Sequence, residues 1–316
     1  MRALIYGISG QDGAYLARFL LEKGYEVWGA SRDASTGKFE NLEKLGIGNE
    51  VKVLSATLTD FRSVLSSLKL SQPDEIYNLA GQSSVSLSFE EPVETMDSVC
   101  FGTLNLLESI RFSGSKSKLY NASSSECFGD VGSSRANETT LFQPRSPYGV
   151  AKSAAHWQVA NYRNAYGIFA CNGILFNHES PLRPPRFVTR KVISAVARVA
   201  NGEKERLRLG NMDIVRDWGW APEYVRAMWL MLQQPTAQDF VIATGHSYSL
   251  RDFVECAFAA IGKNASDFLE PDATLLRPSE ILCSYADPGK AAQLLCWSAA
   301  NRMPDVVRLM LDAELA

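Results

Sequence analysis

Only three histidines occur in the chain, His156, His178 and His246, and no two stand at metal-ligand spacing. The six cysteines, at 100, 127, 171, 256, 283 and 296, include no CxxC pair and no cluster. That scatter excludes a zinc-ribbon or disulfide framework and leaves free thiols as the expectation, with no metal. Charge of one sign is also scarce: the net value is −3, which gives no footing for nucleic acid or an anionic membrane as partner. No apolar run approaches the roughly 20 residues of a membrane span. The start, MRALIYGISGQDG, reads as strand and turn rather than a leader, because its apolar run is short and ends in glycines. A cytoplasmic enzyme or binding protein is the expectation.

What is present is an ordinary globular composition, 46% hydrophobic and 21% charged over 316 residues, enough for one large unit or two domains. The first half alternates strand-like and helical runs. Arg2 to Tyr6, EVWGA (26–30), VKVLSA (51–56), EIYNLAG (75–81), KLYNASSS (118–125) and FACNGILF (169–176) read as strands. Between them lie helical stretches, including AYLARFLLEKG, Phe61 to Leu70, Pro92 to Arg111 and the run after Pro147. Alternation of this kind predicts an α/β fold, a doubly wound parallel sheet. Beyond residue 177 the pattern loosens into shorter elements such as DFVIAT. The division expected is 1–176 for a dinucleotide-binding domain and 177–316 for a smaller mixed α/β substrate region, one that can interleave with it.

Gly7, Gly10 and Gly13 form a G-x-x-G-x-x-G turn between the first strand and the first helix. Such a turn lets backbone N–H groups face a pyrophosphate at a helix N-terminus, as in Rossmann-type domains. At the end of the second strand Arg32 suits a 2′-phosphate and points to NADP, while the adjacent Asp33 leaves NAD open. Ser123-Ser124-Ser125-Glu126 ends the fifth strand, at the sheet edge where such folds bind ligands. Tyr148 and Lys152 stand four apart after Pro147 and share a helix face, where an ammonium favours phenolate. Alone, that spacing is common by chance.

Taken together these motifs resemble the extended branch of the short-chain dehydrogenase/reductase superfamily. Within it, NLAGQS, PRSPYGVAK, CNGILFNHESP, FVTRK, RDWG and RPSE resemble the GDP-mannose 4,6-dehydratases, over essentially the whole chain. The resemblance implies Ser124, Glu126, Tyr148 and Lys152 as catalytic residues. It implies that Gly7, Gly10, Gln11, Asp12, Gly13, Arg32, Leu79 and Ala80, with Tyr148 and Lys152, hold NADP. It further implies that Ser83, Asn177, Lys191, Arg216, Arg277 and Glu280 bind a GDP-sugar, and that the protein is a homodimer or homotetramer. Ser124 and Thr57 stand where the family commonly has threonine and aspartate. Leu182, Pro184 and Pro185 depart from its basic segment after SP, which keeps a GDP-manno-heptose in view as an alternative substrate. Two further rivals are a nucleotide-sugar epimerase or reductase and a silent dinucleotide-binding protein.

Overall fold

The computed structural model describes every residue except 205. Seven parallel strands make the main sheet: β1 (Arg2–Tyr6), β2 (Glu26–Ser31), β3 (Lys52–Ser55), β4 (Glu75–Asn78), β5 (Lys118–Ser124), β6 (Ala170–Leu175) and β10 (Phe240–Ile242). Their spatial order is β10-β6-β5-β4-β1-β2-β3. The order reverses between β1 and β4, paired so that Tyr6 faces Asn78, and a crevice opens there above the strand C-termini. These strands are short and largely buried because both sheet faces are covered, and their polar residues, such as Asn78, Asn121 and Asn172, are buried with them. On one side, Ala14, Leu16 and Leu20 of the Gln11–Glu22 helix pack with Val225 and Met228 of the Ala221–Leu232 helix. On the other, Leu106, Leu107 and Val159 cover Leu4, Ile76 and Leu119.

DFVIAT is not part of a separate unit. Phe240 pairs with Gly173 and Ile242 with Leu175, so this segment closes the edge of the main sheet. Its three consecutive apolar residues are fully buried, and the open edge of β6 is where both of their faces become covered. The rest of the second half builds two small sheets. One is β11-β9-β7, from Ser247–Ser249, Val215–Trp220 and Asn177–Glu179. The other pairs β8 (Leu207–Leu209) with β12 (Leu269–Pro271). A second core, with Val192, Val196, Phe253, Phe258, Val306 and Met310, joins helices Val188–Ala200, Leu250–Ala259 and Met303–Leu315.

The long helix expected from Pro92 to Arg111 runs on to Ser113, with a π-helical turn over Met96–Phe101. The Tyr148 helix spans Pro147–Tyr166. It starts where Ser146 Oγ accepts the Gly149 N–H at 3.0 Å, with Pro147 in the first position, and stops at Gly167 in the left-handed conformation. All six cysteines are free. Among the described residues no helix is long and apolar enough to cross a membrane.

Candidate active site

A cavity of about 930 Å³ runs along the strand C-termini and between the two halves of the chain. Every site residue inferred from the sequence lines it, from Gly7 at one end to Glu280 at the other.

The glycine turn is tight by construction. Gly7 has φ +87°, and a Cβ there would sit 2.8 Å from the Leu79 carbonyl. A Cβ on Gly13 would lie 2.3 Å from Gly7 O and 2.8 Å from Ile8 Cα. The strand-to-helix turn thus lies against Leu79 and Ala80, and Gly10 begins the helix with no side chain capping its free N–H groups. That cradle fits a pyrophosphate. Arg32 lines the cavity, whereas Asp33 does not. The Asp33 carboxylate instead accepts bonds from Ser35 and Thr36, which hold its pKa far below the usual range.

Gln11 and Asp12 do more than line the cavity. Gln11 donates to the His178 carbonyl at 3.2 Å and accepts from Ser180 Oγ at 2.7 Å. Asp12 Oδ2 lies 2.9 Å from His178 Nε2, while His178 Nδ1 lies 2.7 Å from the Phe176 carbonyl. Both ring nitrogens face acceptors, which favours the imidazolium form of His178. Burial works against that charge, but Asp12 outweighs it and raises the His178 pKa. This buried pair ties the glycine turn to NHES.

Ser124 ends β5, and Glu126 follows in a single 3-10 turn whose N–H donates to Ser124 Oγ at 3.2 Å. Burial raises the Glu126 pKa; Arg216 and Arg277 pull it partly back, and Glu280 pushes it up. Burial likewise raises the Tyr148 phenol, offset in part by the Ser124 hydroxyl. Lys152 Nζ lies 5.8 Å from the Tyr148 ring centre and donates to the Ala122 carbonyl at 2.7 Å. Burial lowers its pKa to about 8. The expectation that Lys152 sets the phenol pKa therefore meets a competing influence: desolvation is the largest effect on the phenol.

At the far end Glu280 Oε1 accepts from Arg216 at 3.0 Å and from Arg277 at 3.1 Å. Arg277 also donates to Ser86 Oγ at 3.3 Å, and Lys191 to the Arg208 carbonyl at 2.6 Å. Ser83 and Asn177 face the same space. Glu280 is thus already engaged by two guanidiniums. Sequence reasoning passed over His178 and Arg183. Arg183 lines the cavity, pairs with buried Glu179 at 3.1 Å and lies 3.8 Å over the Phe187 ring. His178 stands inside NHESP, so the motif itself was the available signal. Leu182, by contrast, is buried in the core and does not line the cavity. Thr57 does line it, with its hydroxyl 3.0 Å from that of Thr59.

Several solved structures share this fold. UDP-glucose 4-epimerase from Thermus thermophilus, in complex with NAD, aligns with a TM-score of 0.86 at 27% identity over 99% of both chains. The dTDP-glucose 4,6-dehydratase DesIV from Streptomyces venezuelae, with NAD bound, gives a TM-score of 0.87 at 21% identity, over 99% of this chain and 97% of that one. Among curated proteins, GDP-mannose 4,6 dehydratase 2 of Arabidopsis thaliana is 45% identical, covering 99% of this chain and 86% of its own length. GDP-mannose 4,6 dehydratase of Homo sapiens is 45% identical over 99% and 91%, and that of Vibrio cholerae 44% over 99% and 94%. The GDP-mannose 4,6 dehydratase family model matches residues 4–310. With that match and those identities, the chain belongs to the GDP-mannose 4,6 dehydratase family.

Proposed function

We propose that this protein is an NADP-dependent hydro-lyase that converts GDP-mannose to GDP-4-keto-6-deoxy-mannose. The observation that carries the reading is Glu126: a half-buried carboxylate with a raised pKa, in the same cavity as Ser124 and Tyr148. An epimerase or a 4-keto reductase needs the tyrosine and the serine but has no step for that acid.

Gly7, Gly10, Gly13, Arg32, Leu79 and Ala80 would hold NADP, which when bound would supply the acceptor, and later the donor, of the hydride exchanged with C4 and C6. Tyr148 takes the proton of the 4-hydroxyl, and the Lys152 ammonium stabilises the phenolate that makes this possible. Ser124 hydrogen-bonds the oxygen at C4 as it becomes a ketone. The ketone acidifies C5–H, and Glu126 removes that proton and passes it to the departing C6 hydroxyl, so one water leaves and C5 and C6 are joined by a double bond. When hydride is added at C6, C5 takes up a proton, balanced by the one Tyr148 took from the 4-hydroxyl, so the phenolate is restored. A carboxyl pKa raised by burial suits a group that acts first as base and then as acid. Lys191 and Arg216 are suited to the diphosphate, the guanidinium as a bidentate donor, and Arg277 and Glu280 to the ribose and guanine.

The choice of NADP rests on Arg32 in the cavity, with Asp33 turned to Ser35 and Thr36. Of the three departures behind the GDP-manno-heptose alternative, Leu182 is buried in the core and Pro185 lies off the cavity, while Pro184 lines it, so competing the two substrates decides between them. Exposed Phe101, Val150 and Trp157 on adjacent helices support a homo-oligomer. Incubation with GDP-mannose tests the central reading: mass spectrometry should find a product lighter by one water. An unchanged mass at every cofactor and pH condition overturns it.

A further inference from the structure

The helix that carries Tyr148 and Lys152 continues the same buried side with two more polar residues, His156 and Arg163. These follow at steps of four and seven, which return to one helix face. His156 is 5% exposed and Ser123 only 3%, so their contact is dry. His156 Nδ1 lies 3.2 Å from Ser123 Oγ, and the His156 carbonyl accepts from Asn172 Nδ2 at 3.2 Å. Behind the ring stands Asp239, 3.8 Å from Nε2. Asp239 is itself fixed by both terminal nitrogens of Arg163, each at 2.8 Å, and by the Asn172 N–H at 2.7 Å. Of these groups, Ser123 alone lines the cavity, so the reaction as derived above does not account for the network.

Its position gives it a task. Ser123 directly precedes Ser124, and its hydroxyl lies 3.8 Å from Sγ of Cys127, which directly follows Glu126. The contact therefore grips both ends of the turn that carries Ser124 and Glu126. Burial lowers the His156 pKa, opposed by Asp239 and aided by Arg163, which favours the neutral ring. The Asp239 charge, 3.8 Å from Nε2, favours the tautomer with the proton there, in which Nδ1 accepts the Ser123 O–H. An apolar face would pack a sheet-covering helix as well as this stripe does, whereas polar contacts fix one register.

We propose that His156, bonded to Ser123 and backed by Asp239, is a positioning residue that fixes the Tyr148–Lys152 helix against the Ser124–Glu126 turn. The proposal rests on the dehydratase reading. Through it the proton acceptor for O4 and the acid/base for C5 and C6 keep a single separation.

Three single variants test this. His156→Phe keeps ring size and loses the bond to Ser123. His156→Asn retains a polar amide near Nδ1. Tyr162→Phe, on the same helix but outside the network, loses a hydrogen bond to Glu108. His156→Phe should lower kcat on GDP-mannose about ten-fold or more. KM and the NADP Kd should stay within about two-fold, His156→Asn should recover most of kcat, and Tyr162→Phe should lower Tm while sparing kcat. If His156→Phe does not fold, Ser123→Ala removes only an oxygen and should give the same kcat loss. A fully active His156→Phe or Ser123→Ala overturns the proposal, as does His156→Asn falling as far as His156→Phe. So does an equal kcat loss in Tyr162→Phe. An inactive parent enzyme would instead refute the dehydratase reading, so the two failures are distinct.

Discussion

The tightest steric statement in the site concerns Gly13, where a single methyl group separates a working turn from a blocked one. Its backbone is ordinary helix, so Gly13→Ala brings no conformational strain. The cost is contact alone: the new Cβ would stand 2.3 Å from Gly7 O, 2.8 Å from Ile8 Cα and 2.9 Å from Gly7 C. All three are backbone atoms, and none can swing aside as a side-chain tip would. The carbonyl must retreat by roughly 1 Å, which opens the turn, and overpacking of this kind costs about 1–3 kcal/mol. Taken from the bound complex, that is roughly a 5- to 150-fold rise in the NADP Kd. Gly10→Ala is the internal comparison, since its Cβ would meet Gly7 O at 3.3 Å, a distance small shifts relieve. Titrating NADP against tryptophan fluorescence should rank the affinities wild type, Gly10→Ala, Gly13→Ala. Equal affinity and equal Tm for Gly13→Ala and wild type would refute the idea that this turn is closed around the pyrophosphate.

Other outcomes follow from the same geometry. Glu126 must be ionised to take the C5 proton, and its pKa lies above the ordinary range, so kcat should fall on the acid side earlier than for a free carboxylate. Lys152 must be protonated, so kcat should fall again as pH rises through about 8. Lys152→Arg should move that alkaline limb upward, and a flat profile through it would contradict the assignment. Arg32→Ala should weaken NADP about ten-fold or more and leave NAD binding nearly unchanged, as calorimetry can read. Trp157, 61% exposed on the Tyr148 helix, offers a test of assembly. Trp157→Glu should give monomers by light scattering if that helix pair is the subunit contact, and an unchanged mass would remove it from the interface.

The residues that line the cavity were more legible in the sequence than the architecture around them. Glycine spacing, the serine run before Glu126, and Ser146-Pro147 ahead of Tyr148 are local signals, each with a local mechanism in caps and turns. The strand at Phe240–Ile242 was not legible as a member of the main sheet, because three apolar residues carry no periodicity and its partner β6 lies far off in sequence. The π-helical turn at Met96–Phe101 likewise left no trace in the helical pattern. Leu182, Pro184 and Pro185 divide: the departures from family pattern suggested an altered pocket, and of the three only Pro184 lines the cavity, while Leu182 is packed in the core. The double duty of Asp12 and Gln11 depends on their meeting His178 and Ser180 across the fold, which spacing cannot reveal. The same holds for Lys152, whose bond to Ala122 draws its ammonium toward the backbone.

The most direct test of the central claim follows deuterium placed at C4 of GDP-mannose. With the unmodified enzyme, the product should have lost one water and carry the label at C6. With Glu126→Gln, water loss should disappear while the reduced-nicotinamide absorbance still forms, because oxidation at C4 does not need the carboxylate. Dehydration by Glu126→Gln at a rate near that of the parent, or a parent product that keeps its label at C4, would contradict the account.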